Sequence, residues 1–129
     1  MRSLILFLLV SVSCMKSAYQ YTYSDGSANR YILAPGTLEY DPVTPEESST
    51  GTYSGGDPKT VSISPEQFDS IRHLLDKAIS DTAVHIEDRI KTSGAIAVVK
   101  GNDRTQVILA PGSAEKEAIE NLLRKIMSE

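Results

Sequence analysis

The chain has a single cysteine, Cys14, among its 129 residues. A disulfide within the chain is therefore excluded, and stability in an oxidising compartment has to come from packing. Positive charge is also sparse: 13 Lys and Arg stand against 17 Asp and Glu, with no basic cluster. That balance argues against nucleic acid as a partner, because phosphate neutralisation dominates such binding. Histidine occurs only twice, too seldom for most metal or proton-relay constellations. The apolar run from Leu4 to Val12 falls short of the roughly 20 residues that a helix needs to cross a bilayer.

What flanks that short run gives it meaning. Met1 and Arg2 make a positive leader, Ser11, Val12 and Ser13 a small-residue approach to a cut, and Cys14 follows at once, the layout of an export signal. The stretch resembles the signal of a bacterial lipoprotein, in which the cysteine becomes the lipid-bearing first residue of the mature chain. Val12 and Ser13 suit that pattern, whereas Ser11 stands where such signals usually carry an aliphatic residue. Ser11 and Ser13 also satisfy the small-x-small rule of ordinary signal peptidase, which leaves Cys14 as a free thiol. The expectation is a signal peptide over 1–13, lipidation at Cys14 and a tether over 14–18. The chain is then exported to the cell envelope, facing the periplasm or exterior and held to the membrane by the lipid on Cys14.

Residues 19–129 read as a single α+β domain: a mostly antiparallel sheet of about five strands with two helices on one face. Tyr19, Tyr21 and Tyr23 alternate with polar residues, so their rings share one face of a strand, and Asp25 and Gly26 supply a turn. Tyr31 to Leu33 and Thr37 to Tyr40 make two more strands around Pro35 and Gly36. A long polar loop over 41–59 follows, with a short strand expected near Thr52 to Ser54, before Thr60 to Ile63 re-enters the sheet. Ser64, Pro65 and Gln67 form a capping box, and Phe68, Ile71, Leu74, Leu75, Ala78 and Ile79 recur at helical spacing, which predicts a helix over Pro65 to Ser80. Thr82 to Thr92 fits both periods and is read as extended. Ala95 to Val99 and Thr105 to Leu109 form a hairpin turning at Gly101 to Asp103, and Ser113 is expected to cap a last helix with its stripe at Ile119, Leu122, Leu123 and Ile126. The expected core is Ile32, Val61, Ile63, Phe68, Ile71, Leu75, Ile96, Val98, Val107, Leu109, Leu122 and Ile126. Ile-Leu-Ala-Pro-Gly occurs at Ile32 to Gly36 and again at Ile108 to Gly112, but the flanks do not continue the match, so the two share strand-exit chemistry and are not a repeat.

Catalytic patterns are thin. No serine sits in a Gly-x-Ser-x-Gly elbow, and Gly51, Gly55 and Gly56 lack the Gly-Lys-Ser/Thr ending of a phosphate loop. His85 and Glu87 share a strand face without a third ligand to complete a zinc site, His73 lies off its helix stripe, and Glu46 and Glu47 sit in a polar loop where solvation is the default. No cofactor and no catalytic residue is expected. The tyrosines are more suggestive, since all six precede residue 54 and each joins an apolar ring to a polar tip. Tyr19, Tyr21, Tyr23, Tyr40 and Tyr53 are the candidate partner-binding residues, although β-propensity alone enriches tyrosine and covering a sheet face is the commoner reason for such alternation.

From Gly55 onward, the Gly-Gly segment before a strand, the Leu74-Leu75 helix, the Gly101 to Asp103 hairpin and the closing Leu122-Leu123 helix together resemble the emfourin family of small metallopeptidase inhibitors. The resemblance implies an inhibitor or binding role and carries over no functional residue. The functional expectation is a noncatalytic binding or inhibitor module of the cell envelope, using the Asp41 to Lys59 loop and nearby tyrosines to engage an envelope or extracellular protein or a glycan. A small envelope hydrolase and a structural component of an envelope assembly are the alternatives.

Overall fold

The computed structural model describes residues 19–129; the expected signal peptide, the tether and Cys14 lie outside them. Strands β1 (Tyr19–Ser24), β2 (Arg30–Ala34), β3 (Thr37–Asp41) and β4 (Lys59–Ser62) lead into helix α1 (Pro65–Ser80). A single 3-10 turn, Thr82–Val84, precedes β5 (His85–Ile86), the hairpin of β6 (Gly94–Lys100) and β7 (Asp103–Leu109), and helix α2 (Ala114–Met127). One antiparallel sheet of seven strands, in the order β4-β3-β2-β1-β6-β7-β5, carries the fold. The α+β architecture agrees with the sequence, but among the described residues there are seven strands where about five were expected. The shortest of them, β5, is two residues within the segment read as extended.

Both helices pack on one face of the sheet. Tyr21, Tyr23, Leu33, Leu38, Ile96, Val98 and Leu109 meet Ile71, Leu75 and Ala78 of α1 and Ile119, Leu123 and Ile126 of α2 in a single buried cluster. Pairing sets which side of each strand is buried: Tyr21 lies between Leu33 and Val98, and Tyr23 between Tyr31 and Ile96. Leu33 and Leu38 are therefore core residues, while Ile32, placed in the core by the sequence, pairs with Thr22 and Glu39 on the opposite face and is only half-buried. The correction is one residue of register, and it arises because Tyr31 to Ala34 is apolar on both sides. Val61, Phe68, Val107 and Leu122 pack against the cluster without being sealed in it.

Helix α1 begins as its residues dictate. The Ser64 hydroxyl accepts from the Gln67 amide, and the Gln67 side chain accepts from the Ser64 amide, at 3.1 and 2.9 Å. Ser113 occupies the matching position before α2 without making a side-chain cap. Segment 82–92 is extended only over β5; the rest is the 3-10 turn and a loop ending at Thr92, one of two non-glycine residues with positive φ (67°) among the described residues.

Candidate functional site

β1 runs from the β6–β7 hairpin toward a set of loops, pairing Tyr19 with Lys100 at one end and Ser24 with Ala95 at the other. The β1–β2 turn, the 41–59 loop and the loop after β5 gather at this second end. Asn29, 4% exposed, ties them together. Its backbone amide and side-chain NH2 donate to the two Asp25 carboxylate oxygens, its NH2 also donates to the Tyr53 hydroxyl, and its side-chain Oδ1 accepts from the Val43 amide at 2.9 Å. Gly55 completes the tie: its amide donates to the Val43 carbonyl, and its own carbonyl accepts from the Tyr40 hydroxyl at 2.7 Å. A side chain at Gly55 collides with Asn29 and Pro42, so only glycine fits there. On the other flank, Arg89 donates to the Asp25 carbonyl and to Ser93, which docks the loop after β5 on the same turn.

Between the β1–β2 turn and the 41–59 loop lies a cleft of about 520 Å³, lined among others by Ser27, Ala28, Val43, Glu47, Ser49 and Tyr53. Ala28, with φ 68°, holds one wall in a left-handed conformation that is uncommon for a residue with a side chain. A helical turn begins at Thr44, whose hydroxyl donates to Glu47 and whose carbonyl accepts from the Glu47 and Ser48 amides. The Ser48 hydroxyl, donating to Pro45 and accepting from the Tyr53 amide, is already engaged. The lining carries the Glu47 carboxylate and neither Lys nor Arg. The cleft can therefore receive neutral polar or cationic groups against a fixed aromatic ring.

The five tyrosines named from the sequence have different fates. Tyr53 is 40% exposed at the cleft, and Tyr19, 36% exposed, sits at the opposite end of β1 with the Lys100 ammonium 4.9 Å from its ring centroid. Tyr21 and Tyr23 are buried at 1% exposure, which removes both from any binding surface. Alternation put their rings on one face correctly; that face is the one the helices cover. Tyr40 is half-buried and supports the loop. Tyr23, Tyr31 and Tyr40 form a file, with ring centroids 6.4 and 5.0 Å apart.

Burial raises the pH at which these phenols ionise. Tyr21 is pushed up to about 12 by desolvation first, then by its hydrogen bond and charge interaction with Asp76, the bond measuring 2.9 Å. Tyr31 reaches about 12, again through desolvation first and then its neighbour Tyr40. Tyr23 is raised by desolvation and by the nearby Glu120 charge; although Glu120 acts on it, the phenol has no partner in good hydrogen-bond geometry.

The remaining candidates have ordinary surroundings. His73 is exposed on α1, and the His85 ring donates from Nε2 to the Ala78 carbonyl at 2.8 Å. Glu46 is exposed, and no strand forms over Thr52 to Ser54, where Gly51 and Gly56 take positive φ and the chain is given to holding the cleft instead. Among the described residues, no group of three or more His, Cys, Asp or Glu is placed to hold a metal ion. Sequence reading missed Asn29 as the organiser. Its signal was only a polar residue after a turn, and nothing local separates a buried Asn from a solvated one. Compared with protein families, curated proteins and solved structures, the chain matches none.

Proposed function

We propose that the protein is a noncatalytic binding module of the cell envelope, exported and lipid-anchored through Cys14, that engages an envelope or extracellular protein or a glycan with the loop-end cleft. The support is a long connection held in one shape by buried hydrogen bonds to Asn29, with Tyr53 fixed and exposed beside it. Rigid aromatic anchors on preformed loops bind with little ordering cost. An inhibitor of a peptidase is the form of this role that the layout resemblance favours.

The anchor and the cleft are tested separately. Mass spectrometry of the native N-terminus is expected to find acylated Cys14 as the first residue; a different first residue rejects the site, and an unmodified Cys14 rejects lipidation. Capture from envelope extract compares the intact protein with Tyr53→Ala and Glu47→Gln variants. At least a tenfold loss of the partner recovered by the intact protein is expected, on the usual weight of an aromatic anchor, about 2 kcal/mol. Equal recovery removes the cleft from the proposal, and turnover of a substrate by the purified protein overturns the noncatalytic reading.

A further inference from the structure

The two edges of the sheet are not alike. β4 is a short edge, with Pro58 before it, Pro65 soon after it, and a lysine, Lys59, at its first position whose ammonium contacts the Met127 carbonyl. Such features discourage further pairing. At the other edge, β5 covers only Ile108 and Leu109 of β7 before the chain turns away after Ile86. The two-residue turn between Lys100 and Asp103 makes those residues a hydrogen-bonded pair, so the odd-numbered residues of β7 bond β6. Arg104 and Gln106 consequently direct their N–H and C=O groups outward. The bond from the Ala110 amide to the Val84 carbonyl, 2.8 Å, has the phase this requires.

Two hollows flank the uncovered stretch. Where β5 stops, a notch of about 430 Å³ is lined by residues including Ile86, Glu87, Gln106 and Val107. On the helix side, a smaller hollow of about 110 Å³ lies between α1 and the hairpin, lined by Asp76, Ile79, Val98, Lys100, Asp103 and Thr105. Ile79 and Val98 give it apolar walls. Neither Asp76 nor Asp103 is in an ion pair among the described residues, and the Lys100 ammonium is turned to the Tyr19 ring.

We infer that the free edge of β7 accepts an extended segment of a partner protein as an added antiparallel strand, with a Lys or Arg of that segment opposite Thr105. Paired residues share a face, so the side chain opposite Thr105 points to the helix side, where the smaller hollow lies. Its methylenes lie along Ile79 and Val98 while its cation meets the Asp76 and Asp103 carboxylates. Main-chain bonds to Arg104 and Gln106 supply the strand pairing, and the hollow selects the basic residue. This surface is at the hairpin end, apart from the cleft, and stands independently of the cleft's role.

The probe is an end-blocked peptide alternating Thr and Val around a central Lys, compared with its central-Glu counterpart by amide chemical shifts of the isotope-labelled protein. The expected result is shifts at Arg104 and Gln106 and about tenfold tighter binding of the Lys peptide, the ratio that corresponds to 1.4 kcal/mol. Gln106→Pro removes one outward amide and leaves the β6 ladder intact, and it is expected to abolish those shifts. A peptide N-methylated at the amides that face β7 makes the same cut without altering the protein. Asp76→Asn with Asp103→Asn is expected to erase the preference for Lys over Glu. No binding by the Lys peptide, equal binding of both peptides, shifts confined to the 41–59 loop, or self-association of the protein through the same amides overturns the inference.

Discussion

The two halves of the molecule build one core from different materials. From β1 to β4, buried tyrosines carry polar tips into the interior and a buried Asn29 holds a long loop against the sheet. From α1 to α2, the buried side chains are mostly aliphatic, and local caps and periodicity define the elements. The first half is held by particular hydrogen bonds and the second by apolar area. Several of those bonds join residues distant in sequence, such as Tyr21 with Asp76 and Asn29 with Val43 and Tyr53. Substitution should therefore act differently in the two halves.

The largest effect is expected where the halves meet. Ile96, fully buried and paired with both Tyr23 and Val107, should lose about 2–5 kcal/mol on replacement by Ala, as read by denaturant unfolding. A loss below about 1 kcal/mol, the scale of a single net hydrogen bond, would break the idea of one shared core. Asn29→Ala comes next, at about 2–3 kcal/mol, because it leaves the buried Val43 amide without its acceptor. Hydrogen exchange should then accelerate at Val43 and Gly55 and stay unchanged in α1; uniform acceleration would mean that the loop is not a separable unit.

A smaller pair of substitutions sharpens the contrast within the tyrosines. Tyr21→Phe should cost about 1 kcal/mol through the lost bond to Asp76, whereas Tyr23→Phe should be neutral or stabilising because its buried phenol has no partner. The same chemistry sets an alkaline limit. Tyr21 ionises near 10 when unfolded and about 12 when folded, so its stabilising contribution is complete below pH 10 and is lost as pH rises toward 12. Phenolate absorbance and circular dichroism should change together over that interval, and Tyr21→Phe should make the loss of stability shallower. The smallest comparison concerns the helix starts. Ser64→Ala should cost about 1 kcal/mol, while Ser113→Ala, whose hydroxyl caps nothing and is buried without a partner, should cost close to none.

The same division decided how much was legible beforehand. Ser64, Pro65 and Gln67 mark the start of α1 by contacts within one turn, and the β6–β7 hairpin is equally local, so both were readable at the residue level. Ile32 and Leu33 were not separable, because both are apolar and only pairing with β1 and β3 decides which faces the helices. The 41–59 loop and Tyr53 were visible as candidates from composition, and the cleft contains part of that loop with Tyr53. Asn29, Tyr21 and Tyr23 were misjudged or missed because burial of a polar atom depends on the partner that tertiary structure brings to it.

The position of β1 also has a mechanical consequence. It is the middle strand of seven, bonded to β2 on one side and β6 on the other, and the chain preceding Tyr19 joins it at the hairpin end. Tension applied through that leading segment pulls β1 along its own axis and loads both ladders in shear, so many hydrogen bonds must yield together instead of peeling one by one. A six-residue strand is about 20 Å long, which sets the cleft about that far from the point of pull. If the chain is held through that segment, as proposed, load enters the sheet at its central strand and at the end opposite the 41–59 loop.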